Sequence, residues 1–134
     1  MKYGKLIAEK HEVEIVKRLL ATKMEMGDVV RRSSVGTLAR ELETAETFED
    51  ANMPVDIVRL NSIVTIRSTF NGEQTFQIVL PSHSDIAQKK LSLLAPMGMA
   101  LFGYAMGDKV SWMFPSGTHD ISIVNVEQPN DVEA

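Results

Sequence analysis

Ile63-Val64-Thr65-Ile66-Arg67-Ser68-Thr69-Phe70-Asn71-Gly72-Glu73-Gln74-Thr75-Phe76-Gln77-Ile78-Val79-Leu80-Pro81 is the stretch whose reading decides the fold. Its first four residues are rich in β-branched side chains, whose restricted χ1 suits a pleated strand. Asn71-Gly72 is a strong hairpin signal, because both residues tolerate the positive φ that a tight reversal needs. Thr75 to Leu80 answers as the partner strand, and Pro81, with no N–H to donate, closes it.

The chain beyond the hairpin continues in the same style. A polar loop from Ser82 to Lys89 leads to a short strand, Lys90 to Leu94. Pro96-Met97-Gly98-Met99-Ala100-Leu101-Phe102-Gly103 then puts proline at a first helical position and glycine at a helix end. This helix is too short and too apolar to stand in water, so it is expected to lie buried on the sheet. Gly107-Asp108 turns the chain into a strand from Lys109 to Phe114, and Pro115-Ser116-Gly117 turns it into another from Thr118 to Val126. Val110, Trp112 and Phe114 share one strand parity and hence one face, expected in the core. From Gln128 the tail is polar and expected to fray.

Ahead of the hairpin the period is helical. Val13, Val16, Leu20 and Met24 recur at spacings of three and four, widened by Ile15 and Leu19, with Lys17, Arg18 and Lys23 on the wet side. Gly27-Asp28 signals a turn. Val35, Leu38, Leu42 and Ala45 repeat the pattern, with Ser33 or Ser34 placed to cap a second helix. Two helices of about 14 to 16 residues, joined by a short loop, pack antiparallel into an arm about 21 to 24 Å long. Lys5 to Glu9 is either a short strand or a lead-in. The acidic stretch from Phe48 to Asp56, broken at Met53-Pro54, reads as a linker. The expected organisation is a helical hairpin over residues 1–51 and a sheet domain over 52–134.

Composition narrows the function. The 134 residues are 44% hydrophobic and 24% charged, within the range of globular proteins. No apolar run approaches the roughly 20 residues that span a bilayer, and the N-terminus is broken by charges too early for a signal-peptide core. With no cysteine there is no disulfide, thiolate metal site or cysteine nucleophile. A cytoplasmic location without membrane contact is the default. Net charge is -4, with 9 basic and 10 acidic residues up to Ala51 and 5 and 8 beyond it, which argues against gripping nucleic acid through phosphates.

Chemistry is sparse. His11, His83 and His119 have no metal-ligand spacing. Ser82-His83-Ser84-Asp85 holds the residue types of a triad, but loop neighbours rarely converge as that geometry requires. Gly98, Gly103 and Gly107 spell no phosphate loop, since no Gly-Lys-Ser/Thr follows. Met97, Met99 and Met106 are either core or an adaptable contact surface. Glu25 and Asp28, three apart at the expected hairpin tip, would suit a hard cation shared with another protein; a polar turn explains them more simply.

The order and spacing of Asn61-Ser62-x-Val64, Ala95-Pro96-x-Gly98-x-Ala100-Leu101-x-Gly103, Gly107-Asp108 and Pro115-x-Gly117 resemble the C-terminal domain of the Gre transcription elongation factors, GreA and GreB. The resemblance covers roughly Pro54 to Glu127. The lead-in Met53-Pro54-x-Asp56-x-Val58, behind a short hairpin, resembles the regulator of nucleoside diphosphate kinase branch, bacterial proteins with an abbreviated coiled coil. It implies an α+β chain: an N-terminal helical hairpin followed by an FKBP-like antiparallel sheet domain with one short packed helix. It also implies a non-enzymatic partner of RNA polymerase, docked at the rim of the secondary channel, with no cofactor and no sequence-specific nucleic-acid binding. In Gre factors the coiled coil enters that channel, and its tip carboxylates help hold a magnesium ion at the polymerase's own active site.

By this resemblance the docking contact falls on Leu94, Ala95, Pro96, Met97 and Met99, where proline makes a rigid apolar bump and methionines adapt around a partner. The arm is shorter than a Gre coiled coil, and the residues around Glu25-x-x-Asp28 do not match the Gre tip. Competition with Gre-like factors is therefore expected ahead of transcript cleavage. Two rivals remain. A prolyl isomerase would need an aromatic-lined pocket, and aromatics are 6% of the chain. An interaction protein for another partner, such as a metabolic kinase, would leave polymerase unbound.

Overall fold

The computed structural model describes residues 2–23, 29–69 and 72–129. A short strand, β1 (Ile7–Glu9), leads into α1 (Lys10–Lys23) and α2 (Val29–Glu43), and β2 (Glu46–Phe48) returns to pair with β1 in parallel. The rest of the chain builds a five-stranded sheet from β3 (Ile63–Ser68), β4 (Gly72–Val79), β5 (Lys90–Ser92), β6 (Lys109–Phe114) and β7 (Gly117–Glu127), in the order β5-β4-β3-β7-β6. Between β5 and β6 lies α3 (Pro96–Leu101). The α+β class and the single packed helix are as expected. Lys5 to Glu9 resolves as a strand from Ile7.

The sheet is antiparallel except at one edge, where β5 runs parallel to β4. The connection explains the exception. Two 3-10 turns, Pro81–His83 and Ile86–Gln88, carry the chain back beside Gln77 before it runs forward again.

Burial alternates as strand parity demands. Val64 and Ile66 of β3 and Val110, Trp112 and Phe114 of β6 point into the core. Along β7 the inward residues are Ile121 and Ile123 but then Val126, a change of parity. Its cause is a bulge: Thr65 pairs with Asn125 and Ile66 with Ile123, so Val124 has no opposite number and turns outward.

The two helices share this core. Val13, Val16 and Leu20 of α1 and Val35, Leu38 and Leu42 of α2 sit in one apolar cluster with Val64, Ile66, Met99 and Trp112. The helical stripes therefore pack on the sheet as well as on each other. α2 starts at Val29, ahead of the expected serine cap. Ser34 is instead inside the helix and buried, where its Oγ accepts the Trp112 indole N–H at 3.0 Å. Ala45 falls after the helix.

The stretch expected to be a linker is anchored. Phe48 ends β2, Asp50–Asn52 forms a 3-10 turn, and Met53 joins Ile7, Ile57 and Ala105 in a second small core. Asp56 accepts from Lys2 Nζ at 2.5 Å and Tyr3 Oη at 2.8 Å, pinning the N-terminal segment to the stretch that leads into β3. Gln128, expected at the start of a frayed tail, donates to the Ile57 carbonyl at 2.6 Å and accepts from Ser62 Oγ at 2.7 Å.

Glu9 caps α1. Its carboxylate accepts the His11 N–H at 2.7 Å and the Glu12 N–H at 3.3 Å, and meets His11 Nδ1 at 2.7 Å. Burial pushes this carboxyl up, but the hydrogen bonds from the His11 ring and the two amides outweigh it and hold it below the usual range. A depressed carboxyl contributes stability that is present above its unfolded pKa and is lost as pH falls through the folded one. Asp56 behaves alike, its burial outweighed by Lys2 and Tyr3. Glu12 and Glu41, both raised chiefly by burial, act with the opposite sign. The difference between Glu9→Gln and wild type is thus the quantity to read. The variant is expected to lose about 1 kcal/mol at pH 7 in urea unfolding, a typical helix-cap contribution, and to approach wild type below about pH 4. A constant difference from pH 7 to pH 3 would contradict the assigned cap.

Candidate partner-binding site

The β5–α3 loop is built backward from the helix. Ala95 is extended, at φ -68° and ψ 152°, as the residue before a proline must be, and Pro96 opens the helix where its missing N–H costs nothing. Ser92 accepts the Ala95 N–H at 3.0 Å through its carbonyl and the Leu94 N–H at 3.0 Å through Oγ. Leu93, fully buried, donates its N–H to Val79 at 2.8 Å, extending the β5 edge into the turn. Gly98 lies directly on this turn. A Cβ there would overlap the Ser92 carbonyl oxygen and come within 2.8 Å of the Leu93 carbonyl oxygen. At the other end of the helix Gly103 adopts φ 84° and accepts the Ile7 N–H at 3.2 Å, bringing β1 against the sheet domain.

This packing divides the five residues of the expected contact. Leu94 and Met99 are buried, at 6% and 1% exposure, and their side chains hold the loop from beneath. Ala95, Pro96 and Met97 are half-buried and form its outer surface. Within a six-residue helix the sequence carries no amphipathic signature to separate Met97 from Met99. The methionine cluster as a whole is dispersed, with Met106 exposed on the following turn.

Next to Met97 a groove of about 430 Å3 runs between β4 and the turn before β5, lined by Phe76, Ile86, Lys89, Lys90 and Leu91. The sequence offers no periodic signal for Ile86, which stands alone in a polar loop.

The motif residues have structural work. Asn61 takes φ 74° and donates its N–H to Ile78 at 2.6 Å. Ser62 Oγ accepts the Arg59 N–H at 2.7 Å. Asp108 is buried, accepting the Ala105 N–H at 2.8 Å and the Lys2 N–H at 2.6 Å. Arg59 joins α1 to the lead-in, reaching Glu12 at 2.7 Å and Asp50 at 2.8 Å. Burial pulls its pKa down, but hydrogen bonds to both carboxylates raise it further. It lines a second cavity, of about 470 Å3, together with Glu9, His11, Glu12, Asp50 and Gln128. Arg59 is already paired there with Glu12 and Asp50, and His11 with Glu9.

The loop with triad-type residues does not converge. Ser84 Oγ donates to the Pro81 carbonyl, and the Asp85 side chain caps the Ile86–Gln88 turn through the Ala87 N–H. His11 serves Glu9, and His119 meets Ser116 Oγ at 2.9 Å. Among the described residues no group of three or more histidines and carboxylates could hold a metal ion, and no helix is long and apolar enough to cross a membrane. Glu25 and Asp28, the expected tip carboxylates, lie outside the described residues.

Residues 53–128 match the family model described as transcription elongation factor, GreA/GreB, C-terminal. An 81-residue stretch is 36% identical to the regulator of nucleoside diphosphate kinase of Escherichia coli (strain K12), covering 60% of this chain and 60% of that protein. The transcription elongation factor GreA of Pelobacter propionicus is 32% identical over 108 residues, 80% of this chain and 67% of that one. Among solved structures, a prokaryotic transcription elongation factor GreA/GreB from Nitrosomonas europaea superposes with a TM-score of 0.70 at 30% identity, over 92% of this chain and 98% of that chain.

Proposed function

The chain belongs to the GreA/GreB family of transcription elongation factors, and from that premise we propose that it is a non-enzymatic regulator that docks on bacterial RNA polymerase at the rim of the secondary channel. The observation that carries the reading is the Ala95-Pro96-Met97 surface, held rigid by the packing of Gly98 on the Ser92–Leu93 backbone. A preformed bump loses little conformational entropy on binding, which favours recognition of a fixed partner surface. The curl of the sheet over α3 supports a likeness to FKBP-type domains. A fold does not carry isomerase activity, and the groove beside Met97 holds a single aromatic side chain, Phe76.

In this reading residues 1–51 act as a short arm and 52–134 as the docking body, although the two share one core. Helices of 14 and 15 residues give an arm about 22 Å long at a rise of ~1.5 Å per residue. An arm of that length in the channel mouth excludes a Gre-like factor from the same site, so competition for polymerase is the proposed effect. A cytoplasmic location follows from that partner.

Purified polymerase provides the test. Wild type is expected to be retained on it, Pro96→Ala weakly and Met97→Asp hardly at all, because a buried charge at a contact centre costs several kcal/mol. Equal recovery of the three forms, or recovery of none, would remove the proposed interface.

A further inference from the structure

Ile86 is the most exposed large apolar side chain among the described residues, at 76%. A single exposed isoleucine needs no explanation. Its setting does. The turn that carries it is closed on every side: Asp85 and Lys90 exchange backbone hydrogen bonds at 2.9 Å, and the Asp85 carboxylate takes the Ala87 N–H at 3.1 Å. Lys89 adopts φ 58°, and its carbonyl accepts the Gln77 N–H of β4 at 2.9 Å. Ile86 is therefore held out from a fixed base.

It overhangs the groove formed with Phe76, Leu91 and Met97. Met97 belongs to the docking surface as well, so groove and loop are continuous. Lys89 and Lys90 stand at the groove, and among the described residues neither belongs to an ion pair. The groove's one carboxylate, Glu73, is engaged by Arg67 at 3.0 Å. On a chain of net charge -4, this apolar groove carries two unspent positive charges.

We infer that the groove receives an apolar side chain from an acidic segment of the polymerase, with Lys89 and Lys90 pairing the carboxylates that flank that anchor. This rests on the docking reading above and extends its interface from Pro96 across to Ile86. An apolar anchor seated in a pocket, with charges at the rim, is the usual anatomy of a strong contact; the rim charges act mainly on association rate and salt dependence.

The experiment is a binding titration of the full chain against purified bacterial RNA polymerase at low and high salt. Ile86→Asp, Ile86→Ser and the double variant Lys89→Glu/Lys90→Glu are compared with wild type and with Met97→Asp. All three groove positions are surface residues, so the variants are expected to melt near wild type. Ile86→Asp is expected to weaken binding about tenfold or more, and Ile86→Ser in the same direction. The lysine reversal is expected to weaken binding about tenfold or more at low salt and to invert its salt dependence, because salt then screens a repulsion.

Wild-type binding by the groove variants, with Met97→Asp still impaired, overturns the groove and leaves the docking reading standing. Absence of binding by wild type overturns both. Tight binding of a single-stranded RNA oligonucleotide by the isolated protein, lost on lysine reversal, would make the groove a phosphate site and overturn the inference as well.

Discussion

Gly98→Ala is expected to cost about 3 kcal/mol and to lower the melting temperature by roughly 10 °C. In an ordinary helix the same change gains up to ~1 kcal/mol, because alanine restricts the unfolded chain. The reversal of sign comes from contact with backbone. A Cβ at this position overlaps the Ser92 carbonyl oxygen and approaches the Leu93 carbonyl oxygen to 2.8 Å and its carbon to 3.0 Å. A side chain could swing aside, but these atoms are fixed, since Leu93 donates to Val79 and Ser92 of β5 is paired with Val79 of β4. Relief requires α3 to lift from the turn, and α3 carries Met99, Ala100 and Leu101 into the main core. Thermal unfolding followed by circular dichroism reads the effect. A variant at or above the wild-type midpoint would mean that the helix shifts freely, and would also remove the rigidity on which the Pro96 surface depends.

The strands and the buried helix were legible because their signals are local. β-Branched runs, Gly72, Pro96 and Gly103 each act within a few residues of where they stand, while Asn71 lies outside the described residues. What was not legible depends on partners far along the chain. Ser34 precedes a periodic helical stripe and so reads as a cap, yet its role is set by Trp112, 78 residues away. Glu12 looks like an ordinary first-turn carboxylate until Arg59 arrives from 47 residues downstream. The β1–β2 pair escapes notice because three-residue strands have too little pattern to register. The outward turn of Val124 reflects a bulge, which shifts parity without any change in residue type.

The candidate site divides along the same line. Pro96 was recognisable from its position at a helix start and Gly103 from its place at the helix end, whereas the packing of Gly98 on the Ser92–Leu93 turn was not. Which methionine faces out was not, because a six-residue helix has no period of its own and the sheet beneath decides. Ile86 could be seen in the sequence only as one apolar residue in a polar loop. Its value as a contact emerges from the turn that fixes it and from the two lysines that no carboxylate in the described chain takes up.

Trp112→Ala is expected to cost about 4 kcal/mol, within the range for truncating a buried tryptophan. Trp112 lies inside the main core at the seam between β6 and α2, so its loss opens a cavity there and removes the hydrogen bond to Ser34. The two contributions can be separated. Ser34→Ala leaves the buried indole N–H without an acceptor and is expected to cost about 1 to 2 kcal/mol. Trp112→Phe keeps most of the apolar volume while deleting the donor, at about 2 kcal/mol. If the hydrogen bond joins helix to sheet, the double variant costs less than the two singles together by about 1 kcal/mol. Costs that add within about 0.5 kcal/mol would assign Trp112 to packing alone. Since Trp112 is the only tryptophan in the chain, its emission in urea titrations reports the seam directly in the Ser34 variant. The same seam joins α2 to the sheet, and so fixes the proposed arm against the proposed docking body. Weaker polymerase binding by Ser34→Ala than its small stability loss explains would show that the angle of the arm is part of what the polymerase recognises.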